Sequence, residues 1–363
     1  MTATVMHVLG ARPNFMKAAP VVHALAAAGV RQVVVHTGQH YDEKMSDIFF
    51  RQLNLPEPDV NLGVGSGSHA RQTAAVMVGI EELLLADRPD MLVVYGDVNS
   101  TVAAALVASK LQIPVCHVEA GLRSFDVTMP EEINRRLTDQ LCDLLLVTSP
   151  EAVGHLAREG VPAERIHLVG NPMIDTLLAN LDRFDVDAAR ASVGIEGDYV
   201  VVTMHRPANV DDPGKVSELV KALTELSTRT QVVLPLHPRG KARFEEAGLV
   251  SSESLHVIEP LGYLEFISLV RGARVVVTDS GGIQEETTVL GVPCLTVRPN
   301  TERPITISHG TNKLIEPAEI VTSVDAVLAR PAAGSHKVPP LWDGAAGPRS
   351  AEVITAWLDA AGI

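Results

Sequence analysis

Short runs of aliphatic and β-branched residues recur along the chain, separated by stretches whose composition favours helices. Runs with so few polar interruptions are typical of strands buried on both faces of a parallel sheet. Glycine or proline follows shortly after each run and marks a loop. The predicted strands of the first half are Val5–Leu9, Gln32–His36, Met91–Tyr95, Pro114–Val118 and Leu144–Val147, and the segment Ile166–Pro172 ends this half. Those of the second half are Tyr199–Met204, Gln231–Leu236, His256–Ile258, Val275–Val277 and Val292–Val297.

This alternation of strand and helix predicts an α/β protein with two doubly wound, Rossmann-like domains. We expect the first domain at residues 1–171 and the second at 172–349, with a linker from Asn171 to about Leu181. A final amphipathic helix, within residues 350–363, should pack back on the first domain. Ligands of such sheets bind beyond the carboxyl ends of the strands, so the loops there hold the candidate residues.

The composition limits which classes of binding partner and which cellular compartment are expected. The chain has 363 residues, 46% of them apolar, which is enough for two cores. A net charge of −14 and 4% aromatic residues argue against nucleic-acid and anionic-membrane partners. With no membrane span or secretory signal in the sequence, we expect a cytoplasmic protein. Cys116, Cys142 and Cys294 lie in apolar runs without metal-ligand spacing, so we expect buried, reduced thiols and no metal site.

The stretch Thr278–Glu286, with the sequence TDSGGIQEE, follows a predicted strand and leads into a predicted helix. Its Ser280-Gly281-Gly282 turn lets the backbone approach a ligand, and the free N–H groups of a helix start attract anions. Glu286 follows one turn later, where a carboxylate can accept hydrogen bonds from sugar hydroxyls. The alternative is a glycine-rich turn between core elements. Serine before the glycines and two glutamates after them favour a phosphate-and-ribose site.

Two cations follow the first predicted strand. The segment Gly10–Lys17 is predicted to be the loop before a helix that begins at Ala18, and it places Arg12 and Lys17 at the ligand end of the strand. With only one glycine, it is not a G-x-G-x-x-G dinucleotide fingerprint. Both cations could simply be solvated, but their position favours ligand contact.

Three acids lie at strand ends or helix starts of the first half, namely Asp97, Glu119 and Glu131. Asp97 could instead be a turn residue resembling an N-cap, and Glu131 could form a surface ion pair with Arg135, next to an equivalent Glu132–Arg136 pair. Three acids on one sheet edge are, however, what general acid–base chemistry requires.

His205 is the corresponding candidate in the second half. It follows the strand Tyr199–Met204 and precedes arginine and proline in a loop. A lone histidine is usually a polar core or surface residue, but at the carboxyl end of a strand a catalytic role is at least as well supported.

Together these motifs resemble the non-hydrolysing UDP-N-acetylglucosamine 2-epimerases over nearly the whole chain. Each motif alone is weak, but their occurrence in this order is highly specific. The resemblance implies a GT-B arrangement of the two domains, an active site in the interdomain cleft, and a homodimer. The motifs are Gly10-Ala11-Arg12-Pro13 with Lys17, Thr37-Gly38-Gln39-His40, Gly96-Asp97, His117–Arg123, Pro130–Arg135, His205-Arg206, Thr278–Glu286 and Thr301–Pro304.

The resemblance implies reversible epimerisation at C2 of UDP-N-acetylglucosamine (UDP-GlcNAc) to UDP-N-acetylmannosamine (UDP-ManNAc), without metal or cofactor. UDP is eliminated from C1 as the C2 proton leaves, which gives a 2-acetamidoglucal, and UDP then adds back with C2 inverted. Because the C2 proton is weakly acidic, the departing diphosphate must be stabilised. Inversion also requires proton exchange on both faces of the sugar, and therefore more than one carboxyl group.

The resemblance further assigns roles to single residues. Asp97, Glu119 and Glu131 match the acid/base carboxylates, and His205 matches the histidine near the leaving diphosphate. The matched binding residues are the cations Arg12, Lys17 and Arg303, Arg135 beside the carboxyl cluster, Ser280, Gly281 and Gly282 at the diphosphate, Glu286 at the ribose, Phe266 at the uracil, and backbone near Leu261 at the base edge.

Many bacterial members of the family bind a second UDP-GlcNAc as an activator. Gln39 and His40 match part of that glutamine-and-histidine set and form a possible allosteric site. The next expected glutamine falls near Gly67, and Gln72 is displaced from that position.

Three other functions remain open as alternatives. A GT-B glycosyltransferase would share the fold and the diphosphate site, but a simple retaining transfer does not need three carboxyl groups. A hydrolysing epimerase would release free ManNAc and UDP, whereas Gly282–Glu286 and Thr301–Pro304 favour the non-hydrolysing branch. A non-catalytic nucleotide-sugar sensor would tolerate loss of the acid–base set, which is complete here. The sequence leaves open which UDP-HexNAc is used.

Overall fold

Seven described strands form a parallel sheet in the first half of the chain. The computed structural model describes residues 3–38, 50–236, 238–331 and 336–362, with the backbone alone at residues 12, 238 and 239. The strands are β1 (Thr4–Leu9), β2 (Arg31–His36), β3 (Val60–Asn61), β4 (Met91–Tyr95), β5 (Val115–Ala120), β6 (Leu144–Val147) and β7 (Ile166–Leu168). Their order is β3-β2-β1-β4-β5-β6-β7, a doubly wound sheet in which the strand order reverses between β1 and β4.

A second parallel sheet repeats this topology. Its strands are β8 (Tyr199–Thr203), β9 (Gln231–Pro235), β10 (Leu255–Ile258), β11 (Val275–Thr278), β12 (Cys294–Val297) and β13 (Asn312–Ile315). Their order is β10-β9-β8-β11-β12-β13, so the strand order reverses between β8 and β11, where Val275 pairs with Val200.

Helices connect the strands and cover the sheets. All five side chains of Met91–Tyr95 are buried, as expected of a central parallel strand. The described α-helices are α1 (Arg12–Ala27), α2 (His69–Ala86), α3 (Asn99–Lys110), α4 (Pro130–Leu141), α5 (Pro150–Arg158), α6 (Pro172–Ala179), α7 (Val186–Val193), α8 (Pro207–Val210), α9 (Pro213–Ser227), α10 (Pro238–Glu246), α11 (Tyr263–Gly272), α12 (Gly281–Leu290), α13 (Ile305–Ser308), α14 (Ile320–Leu328) and α15 (Ala346–Ala360).

The chain divides into two compact units. Unit 1 comprises Met1–Ala179 and Pro340–Ile363, and unit 2 comprises Asn180–Pro339. Each has its own buried apolar core around its own sheet. The predicted fold class, α/β with two doubly wound domains, is confirmed.

The chain passes from unit 1 to unit 2 after Ala179, which is later than the predicted boundary at residue 171. Pro172–Ala179 is not a linker but helix α6, which packs on α1 and buries Met173, Ile174 and Leu177. Because these apolar side chains complete the core of unit 1, the unit extends to Ala179.

The last helix belongs to unit 1, where α15 packs on α1. A Cβ atom added at Gly347 would lie 2.5 Å from the carbonyl oxygen of Pro20, so the two helices touch backbone to backbone there. The Gly347 N–H donates to Asp175 Oδ2 at 2.7 Å, which satisfies a free donor at the helix start.

Helix α1 begins at Arg12, whereas the sequence predicted a loop as far as Lys17. Pro13 suits the first helical turn because its missing N–H has no partner to lose there. Asn14 accepts hydrogen bonds from the N–H groups of Gly10 and Ala11 at 3.0 and 2.9 Å, which shortens the loop. Lys17 therefore projects from a helix, which fixes its direction more firmly than a loop would.

Two smaller expectations concern the cysteines and membranes. Cys116, Cys142 and Cys294 are buried free thiols, as predicted. Within the described ranges, no helix has both the length and the apolar character that a membrane crossing demands.

Candidate active site

In unit 1, Asn14 connects the two loops at the point where the strand order reverses. Its side-chain amide donates to the carbonyl oxygen of Tyr95 at 2.9 Å, while its oxygen accepts from the loop after β1. Ligands bind at such reversal points, so Asn14 holds the two loops that would surround one. The sequence reasoning missed it, because an asparagine in a first helical turn carries no distinctive signal.

Glu119 occupies a left-handed backbone conformation, with φ +73, at an irregularity in the pairing of β5 with β6. This conformation is uncommon for a residue with a side chain and is found mainly where the surroundings enforce it. The carboxylate forms a buried ion pair with Lys17 Nζ. The predicted acid and the predicted cation are thus brought together.

Gly96 lies directly beside this ion pair. A Cβ atom there would be 2.9 Å from Lys17 Nζ and 3.3 Å from Glu119 Oε2, and the residue has φ +65. Glycine is therefore required both for the backbone conformation and for the close approach. Since Asp97 is the next residue, the turn brings Asp97 and Glu119 to the same part of the sheet edge.

Asp97 pairs with Arg135 rather than acting as a helix cap. Arg135 Nη1 lies 2.5 Å from Asp97 Oδ2, and its Nη2 lies 2.8 Å from Glu132 Oε2. The sequence alternative of i,i+4 pairs on α4 is therefore wrong for Arg135, which pairs with Glu132 at i,i+3. Arg136 instead approaches Glu159 at 4.0 Å.

Glu132, which the sequence reasoning set aside, is the buried acid of this helix. It accepts hydrogen bonds from the N–H groups of Ser124 and Phe125 at 2.9 and 3.1 Å. Burial alone would raise the pKa of Glu132, but the hydrogen bonds from Ser124 and the hydrogen bond and charge of Arg135 bring it below its ordinary value. Glu131 is half-buried in the first turn, where it stays a candidate acid.

In unit 2, His205 lies against Asp279 at the reversal between β8 and β11. His205 Nδ1 is 2.8 Å from Asp279 Oδ1, and the His205 side chain is 63% exposed while that of Asp279 is buried. The N–H of Arg206 and the amide of Asn209 also donate to Asp279, at 2.9 and 3.1 Å. Burial alone would raise the pKa of Asp279, but the His205 hydrogen bond and charge hold it below its ordinary value.

Asp279 is a second residue that the sequence reasoning missed. A signal was available, because an acid directly after a strand of a doubly wound sheet lies at the ligand end. The carboxylate fixes the imidazole ring and leaves Nε2 facing away from it, an arrangement suited to a group that donates or accepts a proton.

The predicted diphosphate turn lies at the start of α12. Ser280 precedes the helix with an extended backbone, without a side-chain cap, and Gly281 and Gly282 are half-buried. A Cβ atom at Gly281 would lie 2.5 Å from Arg303 Nη1 and 2.7 Å from Glu302 Oε1. The turn therefore lies against a paired guanidinium, and the backbone donors of a ten-residue helix are the groups that suit an anionic ligand.

Arg303, predicted as a ligand-binding cation, is buried and already paired. Its Nη1 lies 2.5 Å from Glu302 Oε1, and its Nε lies 3.0 Å from Glu285 Oε1. Glu302 also pairs with Arg298 at 2.7 Å. Burial opposes the charge of Glu302, but Arg303 and Arg298 hold the pKa of that carboxyl well below its usual range. Arg303 thus belongs to a buried ionic network under the glycine turn.

Glu286, the predicted ribose ligand, is fully buried beside Tyr263. Burial raises the pKa of Glu286 to about 8, with the Tyr263 hydroxyl opposing the rise and Glu285 adding to it. Within the described ranges its Oε1 atom is buried without a hydrogen-bond partner. Such an atom is rare in folded proteins, and a donor such as a sugar hydroxyl would satisfy it. Phe266 and Leu261 are half-buried on and before α11.

Several predicted residues lie partly or wholly outside the described ranges. Gln39 and His40 are not described, and at Arg12 only the backbone is, as the first residue of α1. Among the described residues, no group of three or more histidine, cysteine, aspartate or glutamate side chains is arranged to hold a metal ion.

Comparison with known proteins identifies the family of this chain. A profile of the UDP-N-acetylglucosamine 2-epimerase family matches residues 23–355. The UDP-N-acetylglucosamine 2-epimerase of Methanocaldococcus jannaschii is 41% identical over 360 residues, which cover 96% of this chain and 98% of that protein. The UDP-2,3-diacetamido-2,3-dideoxy-D-glucuronate 2-epimerase of Pseudomonas aeruginosa is 42% identical over 334 residues, which cover 90% and 92%.

A solved structure shows the same similarity in three dimensions. The crystal structure of the Methanocaldococcus jannaschii UDP-GlcNAc 2-epimerase in complex with UDP-GlcNAc and UDP is 40% identical and has a TM-score of 0.90. The match covers 97% of this chain and 99% of that one. Because sequence and fold agree over nearly the full length, the chain belongs to the UDP-N-acetylglucosamine 2-epimerase family.

Proposed function

We propose that this protein interconverts UDP-GlcNAc and UDP-ManNAc by inverting C2 of the sugar, without hydrolysis. The observation that carries the proposal is the pair of carboxylates on the ligand edge of unit 1. Glu119 is held by Lys17 and Asp97 by Arg135, with only the Gly96 turn between the two sites. Two separately held carboxylates near one point suit proton transfer on two faces of a sugar.

The reaction proceeds by elimination and re-addition. A carboxylate of unit 1 takes the C2 proton, and the electron pair of the C2–H bond forms the C1–C2 double bond of a 2-acetamidoglucal. The C1–O bond breaks at the same time, and UDP leaves with the electron pair of that C1–O bond. A proton is then returned to the opposite face of C2 while a diphosphate oxygen attacks C1. Atoms and charge balance without any redox partner, so no cofactor takes part.

The groups of unit 2 make UDP a better leaving group. The N–H groups at Ser280-Gly281-Gly282 and the imidazole of His205 are donors to the charge that develops on the departing diphosphate. Asp279 orients that imidazole through Nδ1 and leaves Nε2 available for the diphosphate. The buried orphan oxygen of Glu286 accepts from the ribose, and Phe266 packs on the uracil.

The sugar is more consistent with a neutral hexosamine than with a uronate. The Pseudomonas aeruginosa relative acts, by its name, on a diacetamido glucuronate, whose carboxylate needs a cationic partner. On the ligand edge of unit 1, the cations whose side chains are described each already face a carboxylate, namely Lys17, Arg123 and Arg135. A further negative charge on the sugar would be repelled there, so UDP-GlcNAc is the preferred candidate.

We also propose that the protein is a homodimer. Ile133 and Leu137 on α4 are about half exposed, and with Val127 they form the apolar part of a concavity of about 580 Å³. The remaining lining is polar, from Arg136, Gln140, Arg158 and Glu159. Exposed apolar side chains rimmed by polar ones are typical of an interaction site. Light scattering of the purified protein should give twice the chain mass of 38.7 kDa.

Proton NMR in D2O tests the reaction. UDP-GlcNAc and the diacetamido glucuronate nucleotide are each incubated with enzyme and no acceptor. We expect the C2 proton of UDP-GlcNAc to be lost as UDP-ManNAc appears, with the uronate slower. Free ManNAc and UDP would instead identify a hydrolysing enzyme, and an unchanged C2 proton in UDP-GlcNAc would refute the proposal, whatever the uronate does.

The same assay tests the site. Asp97→Asn, Glu119→Gln and His205→Ala should each lose most turnover while UDP still binds, because each removes a reacting or stabilising group and leaves the other binding groups in place. Near-normal turnover in all three variants would contradict the assignment.

A further inference from the structure

His117, two residues before Glu119, is fully buried and contacts two backbone segments of the candidate site. Its Nε2 lies 2.7 Å from the carbonyl oxygen of Gly96, next to Asp97. Its Nδ1 lies 2.7 Å from Oδ1 of Asp139 on α4. The imidazole therefore links the Asp97 turn to a helix that carries other members of the site.

Asp139 extends the same chain of contacts to the other catalytic candidate. Its Oδ2 accepts from the N–H of Gly121 at 3.1 Å, two residues after Glu119, and lies 2.7 Å from Arg123 Nη2. Arg123 in turn makes a two-pronged contact with Glu159 at 2.9 and 2.7 Å. The carboxylate of Asp139 thus anchors the turn after Glu119. The same carboxylate fixes His117, which holds the turn before Asp97.

The two ring nitrogens of His117 face different partners. A backbone carbonyl can only accept, so Nε2 donates to Gly96. Nδ1 faces the carboxylate of Asp139. Burial opposes the charge of Asp139, but His117 and Arg123 lower the pKa of that carboxyl. The imidazole bridges Gly96 and Asp139 through two separate ring nitrogens, whereas an amide side chain, whose donors share one nitrogen, could not bridge them in the same way.

These contacts fall where the backbone is left-handed. Gly96, Glu119 and Gly121 all have positive φ, at +65, +73 and +76, and of the three only Glu119 carries a side chain. A Cβ atom at Gly121 would lie 2.8 Å from the carbonyl oxygen of Ala152, so this turn has no room to relax. A left-handed residue with a side chain, such as Glu119, persists only where neighbouring contacts over-determine it. The His117–Asp139 pair supplies such contacts to the turns at Gly96 and Gly121.

We propose that His117 and Asp139 are positioning residues that set the separation of the Asp97 and Glu119 carboxylates for proton transfer at C2. This inference rests on the proposed function. The two residues do not touch the sugar. His117 holds the turn before Asp97 through the carbonyl oxygen of Gly96. Asp139 holds the turn after Glu119 through the N–H of Gly121.

The test compares two fully buried histidines of the same sheet. His7 lies 2.8 Å from the Tyr95 hydroxyl and 2.9 Å from Gln32 Oε1, contacts that join core side chains and do not reach the carboxylates. His117→Gln should lower kcat about 10²-fold with KM within about threefold, because a displacement near 1 Å has that effect on catalysis. His7→Gln should keep kcat within about twofold at a similar loss of thermal stability.

The outcomes separate positioning from stability. If folded His117→Gln retains kcat within threefold of wild type, or if both variants lose kcat alike, the positioning role is wrong. Asp139→Asn, which preserves volume, should also lower kcat at least tenfold and serves if His117→Gln does not fold. Wild-type protein that exchanges no C2 proton of UDP-GlcNAc would instead refute the proposed function.

A measurement on protein labelled with ¹⁵N-histidine tests the bridging geometry. The imidazole signal that is lost in His117→Gln should belong to a slowly exchanging ring N–H proton, because Nε2 is buried and donates to the Gly96 carbonyl. If that ring shows no protected N–H proton, the bridging geometry is wrong and the proposal is overturned.

Discussion

The Nδ1 atom of His205 lies 2.8 Å from Oδ1 of Asp279, so an exposed imidazole is fixed on a buried carboxylate. The two residues follow β8 and β11, the strands between which the order of the unit 2 sheet reverses. Asp279 holds Nδ1 of His205 against the protein and leaves Nε2 available for a ligand. This relationship was not assigned from the sequence, although both residues lie in motifs that the sequence displays.

Asp279→Asn should lower kcat about 10²-fold with little change in KM, because the amide still fills the space but no longer supports a charged imidazole. Steady-state epimerisation by Asp279→Asn, His205→Ala and the double variant measures this. If Asp279 acts through His205, the double variant should be no slower than His205→Ala alone. Fully additive losses would show that Asp279 acts independently.

Gly96→Ala should lower kcat at least tenfold, because the added methyl group would lie 2.9 Å from Lys17 Nζ and would push apart the Lys17–Glu119 pair. Gly29→Ala is the matched control, since Gly29 has φ +77 with nothing within 4 Å of the added atom. Both variants carry a left-handed backbone cost of roughly 1–2 kcal/mol. Equal kcat in the two variants would contradict the role of the Gly96 turn.

Glu286 should make the stability of the protein fall as the pH rises. Its folded pKa of about 8 lies above the ordinary value of 4.5, so its contribution is fully present below pH 4.5 and is lost as the pH rises through 8. Glu286→Gln is neutral throughout, so its free energy of unfolding relative to wild type should increase between pH 5 and pH 8. Urea unfolding at several pH values measures the difference, with exposed Glu265→Gln as control. Parallel curves for wild type and Glu286→Gln would argue against the neutral carboxyl.

Gly347→Ala should destabilise the protein by at least about 2 kcal/mol, because the added methyl group would lie 2.5 Å from the Pro20 carbonyl and would separate α15 from α1. The control is Gly154→Ala in α5, an exposed helical glycine with nothing within 4 Å. That change should stabilise by about 0.5–1 kcal/mol, since alanine favours helix over glycine. Thermal unfolding of both variants measures these changes in stability. A stabilised Gly347→Ala would show that α15 and α1 are not in close contact.

The sequence by itself determined the type and order of the elements and the loops that follow the strands. Hydrophobic runs and glycine or proline breaks are local properties, so β4 was predicted at its observed bounds and β5 within a few residues of them. The same local signals placed Asp97, Glu119 and His205 at the carboxyl ends of strands. The parallel topology then required such loops to lie on the ligand edge of their own sheet.

Only the tertiary structure decided which side chains meet. Arg135 pairs with Glu132 and Asp97 rather than with Glu131, and Asp279 and Asp139 became visible as partners of His205 and His117. These contacts join residues up to 74 positions apart, and no periodicity in the sequence encodes them. They form because folding removes the charged and polar groups from water, and a buried carboxylate is stable only when a donor or a cation lies within hydrogen-bond distance.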